Sequence, residues 1–144
     1  MKLKSILFLL LLFSFVFAVA QRGKEVDIDV FIKKKSEFLK KELSLTDAEA
    51  EVFIPLEAEL SKKIYKANHE LYRERRELTF KPAYKTKAEK ERIIYLTLEG
   101  EKRETILRTA YFKEFAKILS AEKINKYRKA DDKYRKETLG DYNY

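Results

Sequence analysis

Apolar residues recur along most of this chain at the three- and four-residue intervals of an α-helix, and the phase breaks in only a few places. From Ile28 to Leu43 one stripe is Ile28, Ile32, Leu39 and Leu43, with Phe31 and Phe38 beside it and Lys33, Lys34, Lys35, Lys40 and Lys41 falling largely elsewhere. This spacing predicts a first helix. The alternation Val26, Ile28, Val30, Ile32 would also suit a short strand, for which no partner is visible downstream.

The second stripe is Phe53, Leu56, Leu60, Ile64, Ala67, Leu71 and Leu78, an inward-facing seam long enough for one extended helix. It opens on Leu45-Thr46-Asp47-Ala48-Glu49, where Thr46 can accept from the backbone N–H of Glu49 while the Glu49 carboxylate returns to the N–H of Thr46. Asp47, Glu49 and Glu51 at one end and Arg73, Arg75 and Arg76 towards the other complement the helix dipole. Pro55 removes the bond to the carbonyl of Glu51, which predicts a kink or a break before residue 55, or a helix that starts there.

Phe80-Lys81-Pro82-Ala83-Tyr84-Lys85 interrupts the pattern and reads as the loop between two hairpin arms. Thr86-Lys87-Ala88-Glu89 repeats the capping-box chemistry, and the stripe Ile93, Leu96, Gly100, Leu107, Tyr111, Phe115 and Ile118 then stays in phase. Glycine at position 100 costs about 1 kcal/mol relative to alanine, so either a close helix approach or a local bend is expected to justify it there. Leu119-Ser120-Ala121-Glu122-Lys123 starts a last helix, capped by Ser120, with Ile124, Tyr127, Tyr134 and Leu139 as its apolar positions and Gly140 as its stop. The expected fold is all-α: a bent helical hairpin of about four helices, two long and two shorter. Laying Leu45-Thr46 on Leu119-Ser120 places Phe38 on Phe112, Phe53 on Tyr127 and Leu60 on Tyr134, a weak internal echo in which a capped corner is used twice.

The first 20 residues do not belong to this pattern. Met1-Lys2-Leu3-Lys4, an apolar run from Ile6 to Ala20 and the exit Ala18-Val19-Ala20 have the three parts of a cleavable secretory signal, with cleavage expected near Ala20-Gln21. A retained membrane anchor is the competing reading, for which this run is short. Removing 20 of the 144 residues leaves 124, suited to a single domain over residues 21–144. The chain has no cysteine, which excludes lipid attachment at the cleavage point and leaves helix packing, without cross-links, to supply stability. The leader holds two of the 32 basic residues, so the remainder carries 30 basic against 24 acidic, net +6. The expected location is the periplasm, and nucleic acid is not an expected partner.

Catalytic chemistry lacks its parts: there is no cysteine, a single histidine, no serine in a glycine-flanked turn, and three widely separated glycines that cannot cradle a phosphate. No enzyme and no cofactor are expected. Asp131 and Asp132 are adjacent on a polar helix and read as solvated surface. His69 has only Glu70 and Glu74 near it, too few for a zinc site, so no metal is expected and His69 remains the one candidate. Tyr65, His69, Tyr72 and Arg76 follow one another around a second face of the long helix, with Arg73 beside them, and form a candidate protein-binding surface; the competing reading packs this stripe on the chain's own helices. Basic residues cluster from Arg73 to Arg92, eight against four acidic, and again from Lys123 to Lys136, where there are seven. Such patches speed encounter with acidic or unfolded partners. A membrane-surface role is disfavoured because the helices lack a Trp-rich interfacial pattern.

Together the leader, Leu45-Thr46-Asp47-Ala48-Glu49, Phe53-Ile54-Pro55 and Leu119-Ser120-Ala121-Glu122-Lys123 resemble the LTXXQ-motif periplasmic proteins of the Spy/CpxP type, including relatives labelled sensors of extracytoplasmic sigma factors. Glu49 and Lys123 stand where the family has glutamine, and Ser120 where it has threonine; Lys123 cannot accept a hydrogen bond, so Ser120 alone must cap the second corner. The resemblance implies a small bent fold, often a cradle-shaped homodimer, that acts as an ATP-independent chaperone for unfolded envelope proteins. The alternative it implies is an accessory to an envelope-stress kinase or sigma-factor pathway, and a third is a zinc-responsive protein.

Overall fold

The computed structural model describes residues 27–139, apart from the side chain of Leu139; the leader, Val26 and the stop at Gly140 lie outside the described residues. Four helices follow in order: α1 (Ile28–Glu42), α2 (Asp47–Thr79), α3 (Lys87–Ile118) and α4 (Ala121–Leu139). The chain is an all-α helical hairpin, two long arms and two shorter helices, with no strand among the described residues.

Each helix starts where the sequence supplies an acceptor for its unpaired N–H groups. Asp27 caps α1, its Oδ1 accepting from Asp29 and Val30 at 3.1 Å. Thr46 and Thr86 each close a full capping box: the threonine hydroxyls accept from Glu49 and Glu89 at 3.2 Å, and those carboxylates accept from the threonine N–H groups at 2.8 and 2.7 Å. Ser120 accepts from the N–H of Lys123 at 3.3 Å, a one-sided cap, as the lysine requires. The residue 28–43 segment is helix and not strand, and α2 runs unbroken through Pro55, so neither a break nor a late start occurs there. Pro55 is exposed, where the carbonyl it leaves unpaired can meet water.

The corner between α1 and α2 closes as a Schellman turn: Ser44 N–H donates to Lys41 and Leu45 N–H to Lys40, both at 3.1 Å. Ser44 sits at φ 47°, the left-handed region that glycine normally occupies at this position.

The two long arms pack against each other along their length, α1 packs on α2 and α4, and α4 touches α3 only sparingly. At the junction of the helices Phe53, Phe115 and Tyr127 meet edge to face, with centroids 4.9 to 5.3 Å apart. Leu39, Leu43, Leu60, Leu119, Ile124 and Ala130 surround them. Further along α1, Tyr134 stacks on Phe31 and Phe38 at 5.3 and 5.1 Å. The internal echo has a physical counterpart, because equivalent positions touch: Phe53 meets Tyr127, and Glu49 pairs with Lys123 across 74 residues.

The expected stripe of α3 is the one that packs, with Leu96, Gly100 and Phe115 fully buried. Gly100 lies under the Tyr72 ring, where a Cβ would come within 3.2 Å of Cε1. Asn68 fixes this approach by donating to the Gly100 carbonyl at 3.2 Å and to the Tyr72 hydroxyl at 3.1 Å.

Candidate protein-binding surface

Charged side chains, not only apolar ones, hold the site's scaffold in place. Lys35 is buried, contrary to its expected place among the solvated lysines, and its Nζ lies 2.6 Å from Glu57, 2.5 Å from Asp131 and 3.0 Å from Ser61. Asp131 is likewise buried and not solvated; only its neighbour Asp132 is exposed. Asp131 also pairs with Arg108 at 2.8 Å, and Glu104 takes Arg108 at 2.8 Å together with Arg135 and the Tyr72 hydroxyl. Three cations and three carboxylates drawn from all four helices therefore balance inside the fold. Lys35 sits on the seam itself, with Phe31, Ile32, Phe38 and Leu39 three and four residues away, while the i, i+4 pairs Glu104–Arg108 and Asp131–Arg135 bring opposite charges together on one helix face.

The two carboxylates that share Lys35 differ in their surroundings. Burial pushes the Glu57 carboxyl above the usual carboxylate range, since Lys35 is its only cation and Oε2 has no hydrogen-bond partner among the described residues. Burial acts on Asp131 in the same direction, but Lys35, Arg108 and Arg135 outweigh it and hold that carboxyl below the usual range. For Lys35 itself burial is outweighed by Glu57 and Asp131, which keep the ammonium charged. Burial pushes the Tyr127 hydroxyl well up, so it remains a donor, reaching Glu57 at 3.3 Å.

On this scaffold the predicted face of α2 does not assemble as one outward surface. Tyr72 turns into the hairpin, against Gly100, Asn68 and Glu104. Tyr65 and His69 stack on each other at 4.9 Å and are half-buried, Arg73 is exposed and pairs with Glu70, and Arg76 is half-buried. His69 has Glu70 at 3.9 Å, and no three metal-ligating side chains converge among the described residues. Thr46, Glu49, Thr86, Glu89 and Ser120 are the caps they were expected to be.

The outward surface lies instead on α3. Ile94, Leu98, Thr105, Thr109 and Phe112 follow at intervals of four, seven, four and three, on the side of α3 opposite its buried seam, with Tyr95 and Ile106 on the flank. Every one of these residues is exposed. From Ile94 to Phe112 the stripe runs about 27 Å at 1.5 Å per residue. Helix α3 thus exposes apolar side chains on the side away from its packed seam, interrupted by Glu101 and Lys102 between Leu98 and Thr105.

At its end the stripe leads into a groove of about 670 Å³ where α3 and α4 diverge. Leu60, Phe115, Ile124 and Tyr127 line it alongside Phe112, and Arg108, Arg128, Lys129 and Arg135 line it together with Asp131 and Asp132. Arg128 and Lys129 are exposed and make no ion pair among the described residues. The groove offers an apolar floor with a basic edge, suited to a polypeptide segment that carries apolar residues next to acidic ones. Periodicity reveals the outer stripe only in part, because Glu101, Lys102, Thr105 and Thr109 separate its apolar residues Leu98 and Phe112.

The described helices include none long and apolar enough to cross a membrane. Compared with known proteins, the chain matches no family model, no curated protein and no solved structure.

Proposed function

We propose that this protein is an exported, non-enzymatic helical binding protein that acts in the periplasm, pairs as a homodimer and holds partly unfolded protein segments without nucleotide. The observation that carries this reading is the outer stripe of α3, where Ile94, Leu98, Ile106 and Phe112 are each at least half exposed on a helix whose opposite side is already packed. Exposed apolar side chains at both ends of one helix face, with Glu101 and Lys102 between them, form a mixed surface of the kind at which proteins bind other proteins. The basic edge of the groove adds attraction for acidic client segments and speeds encounter. The resemblance to Spy/CpxP-type proteins supports the same reading. The test is aggregation of a chemically denatured client enzyme in the presence of stoichiometric residues 21–144: suppressed aggregation supports holding, and undiminished light scattering rejects it.

One observation favours a second reading. The groove is about 670 Å³, a size suited to one short segment, as an accessory that recognises one envelope-stress sensor or anti-sigma factor would require. Under that reading, deleting the gene changes the output of an envelope-stress regulon, whereas a general holding protein leaves its resting output unchanged.

A further inference from the structure

We propose that the loop joining α2 and α3 is a docking tip for anionic phospholipid surfaces. This inference is independent of client holding, which involves α3 and the groove. The loop is the far end of the hairpin, and it presents Phe80, 58% exposed, and Tyr84, fully exposed, on either side of Pro82. Among the described residues Tyr84 is uncovered and Phe80 keeps more than half of its surface open. Around them, residues 76–90 contain five basic side chains against two acidic, net +3. One of the two acids, Glu89, is engaged at the cap of α3 and by Lys81 at 2.5 Å, while Lys85 and Lys90 make no ion pair among the described residues.

The chemistry selects the partner. Two aromatic rings ringed by lysines match an interface that is apolar within and negative at its surface, the arrangement of an anionic bilayer. The exposure points the same way: residues 79–84 are all exposed at the turn of the hairpin, and a headgroup layer deforms around a protruding ring. The loop thus supplies interfacial aromatic rings, Phe80 and Tyr84, without tryptophan, and a hairpin standing on this tip would keep the stripe and groove of α3 clear of the membrane.

The experiment is co-sedimentation of residues 21–144, which contain every described helix and lack the apolar leader, with vesicles of phosphatidylcholine alone or mixed with phosphatidylglycerol. The expected result is binding to the mixed vesicles only, lost at high salt and reduced about tenfold in F80S/Y84S. Because the chain contains no tryptophan, Y84W supplies a single reporter whose emission should shift to the blue with the anionic vesicles. Absence of binding by the wild-type protein, equal binding by F80S/Y84S, or an unshifted Y84W spectrum would each overturn the proposal. Circular dichroism identical to wild type separates loss of docking from loss of fold.

Discussion

The Nζ of Lys123 lies 2.5 Å from Oε2 of Glu49, so the first turn of α4 is tied to the first turn of α2 at the two capped corners of the chain. The same ammonium donates to the carbonyl of Ser44 at 3.2 Å, which attaches α4 to the Schellman corner as well. These two residues close the equivalent corner segments Leu45-Thr46-Asp47-Ala48-Glu49 and Leu119-Ser120-Ala121-Glu122-Lys123, and their opposite charges meet in space.

Lys123 and the N–H of Thr46 together hold the Glu49 carboxyl below its usual range. A depressed folded-state value means that this carboxylate stabilises the fold above its unfolded-state pKa and that the contribution is lost as pH falls through the folded one. Lys123→Gln should therefore move Glu49 up towards the ordinary carboxylate range and raise the pH at which acid unfolding begins. Carboxyl-detected NMR titration of both proteins checks this.

Among the described residues Lys35 is the only cation paired with Glu57 and one of three paired with Asp131, and its removal strands a carboxylate inside the fold. Lys35→Met should cost about 3–5 kcal/mol, the usual penalty for breaking a buried pair. Adding Glu57→Leu should recover most of that loss, because Asp131 retains Arg108 and Arg135. Urea denaturation of the single and double variants measures both steps, and a double variant no more stable than the single one would contradict the pairing.

At Gly100 two effects of similar size oppose each other. Alanine gains about 1 kcal/mol of helix propensity but presses on a Tyr72 ring held by Asn68 and Glu104, so Gly100→Ala should change stability by less than about 1 kcal/mol. Gly100→Leu cannot be absorbed and should lose about 2–3 kcal/mol by forcing the arms apart. Thermal unfolding of the two variants distinguishes close packing from a merely tolerated glycine.

Ser44 occupies a backbone conformation that costs a side chain energy without using its hydroxyl for the turn, whose bonds are made by backbone groups. Ser44→Gly should stabilise the protein by about 0.5–1 kcal/mol. A denaturation midpoint unchanged or lowered in this variant would show that the corner is not strained.

The helices were legible because their signals are local: the capping boxes at Thr46 and Thr86, the loop at Pro82 and the inner stripes all lie within a few residues of the structure they produce. The buried charges were not, although each left a trace. In three helices an apolar stripe has a seven-residue gap: Ile32 to Leu39, Gly100 to Leu107, and Tyr127 to Tyr134. Lys35, Glu104 and Asp131 fill these gaps at helical spacing, and Glu57 follows Leu56 on the seam of the second helix, four residues from Phe53. A single charged residue on a seam reads as solvated until its partner on another helix is known, and the partners here are 22 or more residues apart. Tyr72 was misplaced for a related reason: an aromatic ring at the margin of a seam turns inward only when the facing helix offers a glycine, as α3 does at Gly100.

The account rests on the outer side of α3 being a gripping surface. Its most direct test is the affinity of a fluorescently labelled, permanently unfolded client for residues 21–144 and for Leu98→Ser/Ile106→Ser/Phe112→Ser, in which only exposed side chains change. The account predicts measurable binding by the wild-type protein that falls at least about tenfold in the triple variant, with the helical circular dichroism of both proteins the same. Undiminished affinity in the triple variant, or no binding by the wild-type protein, would contradict it.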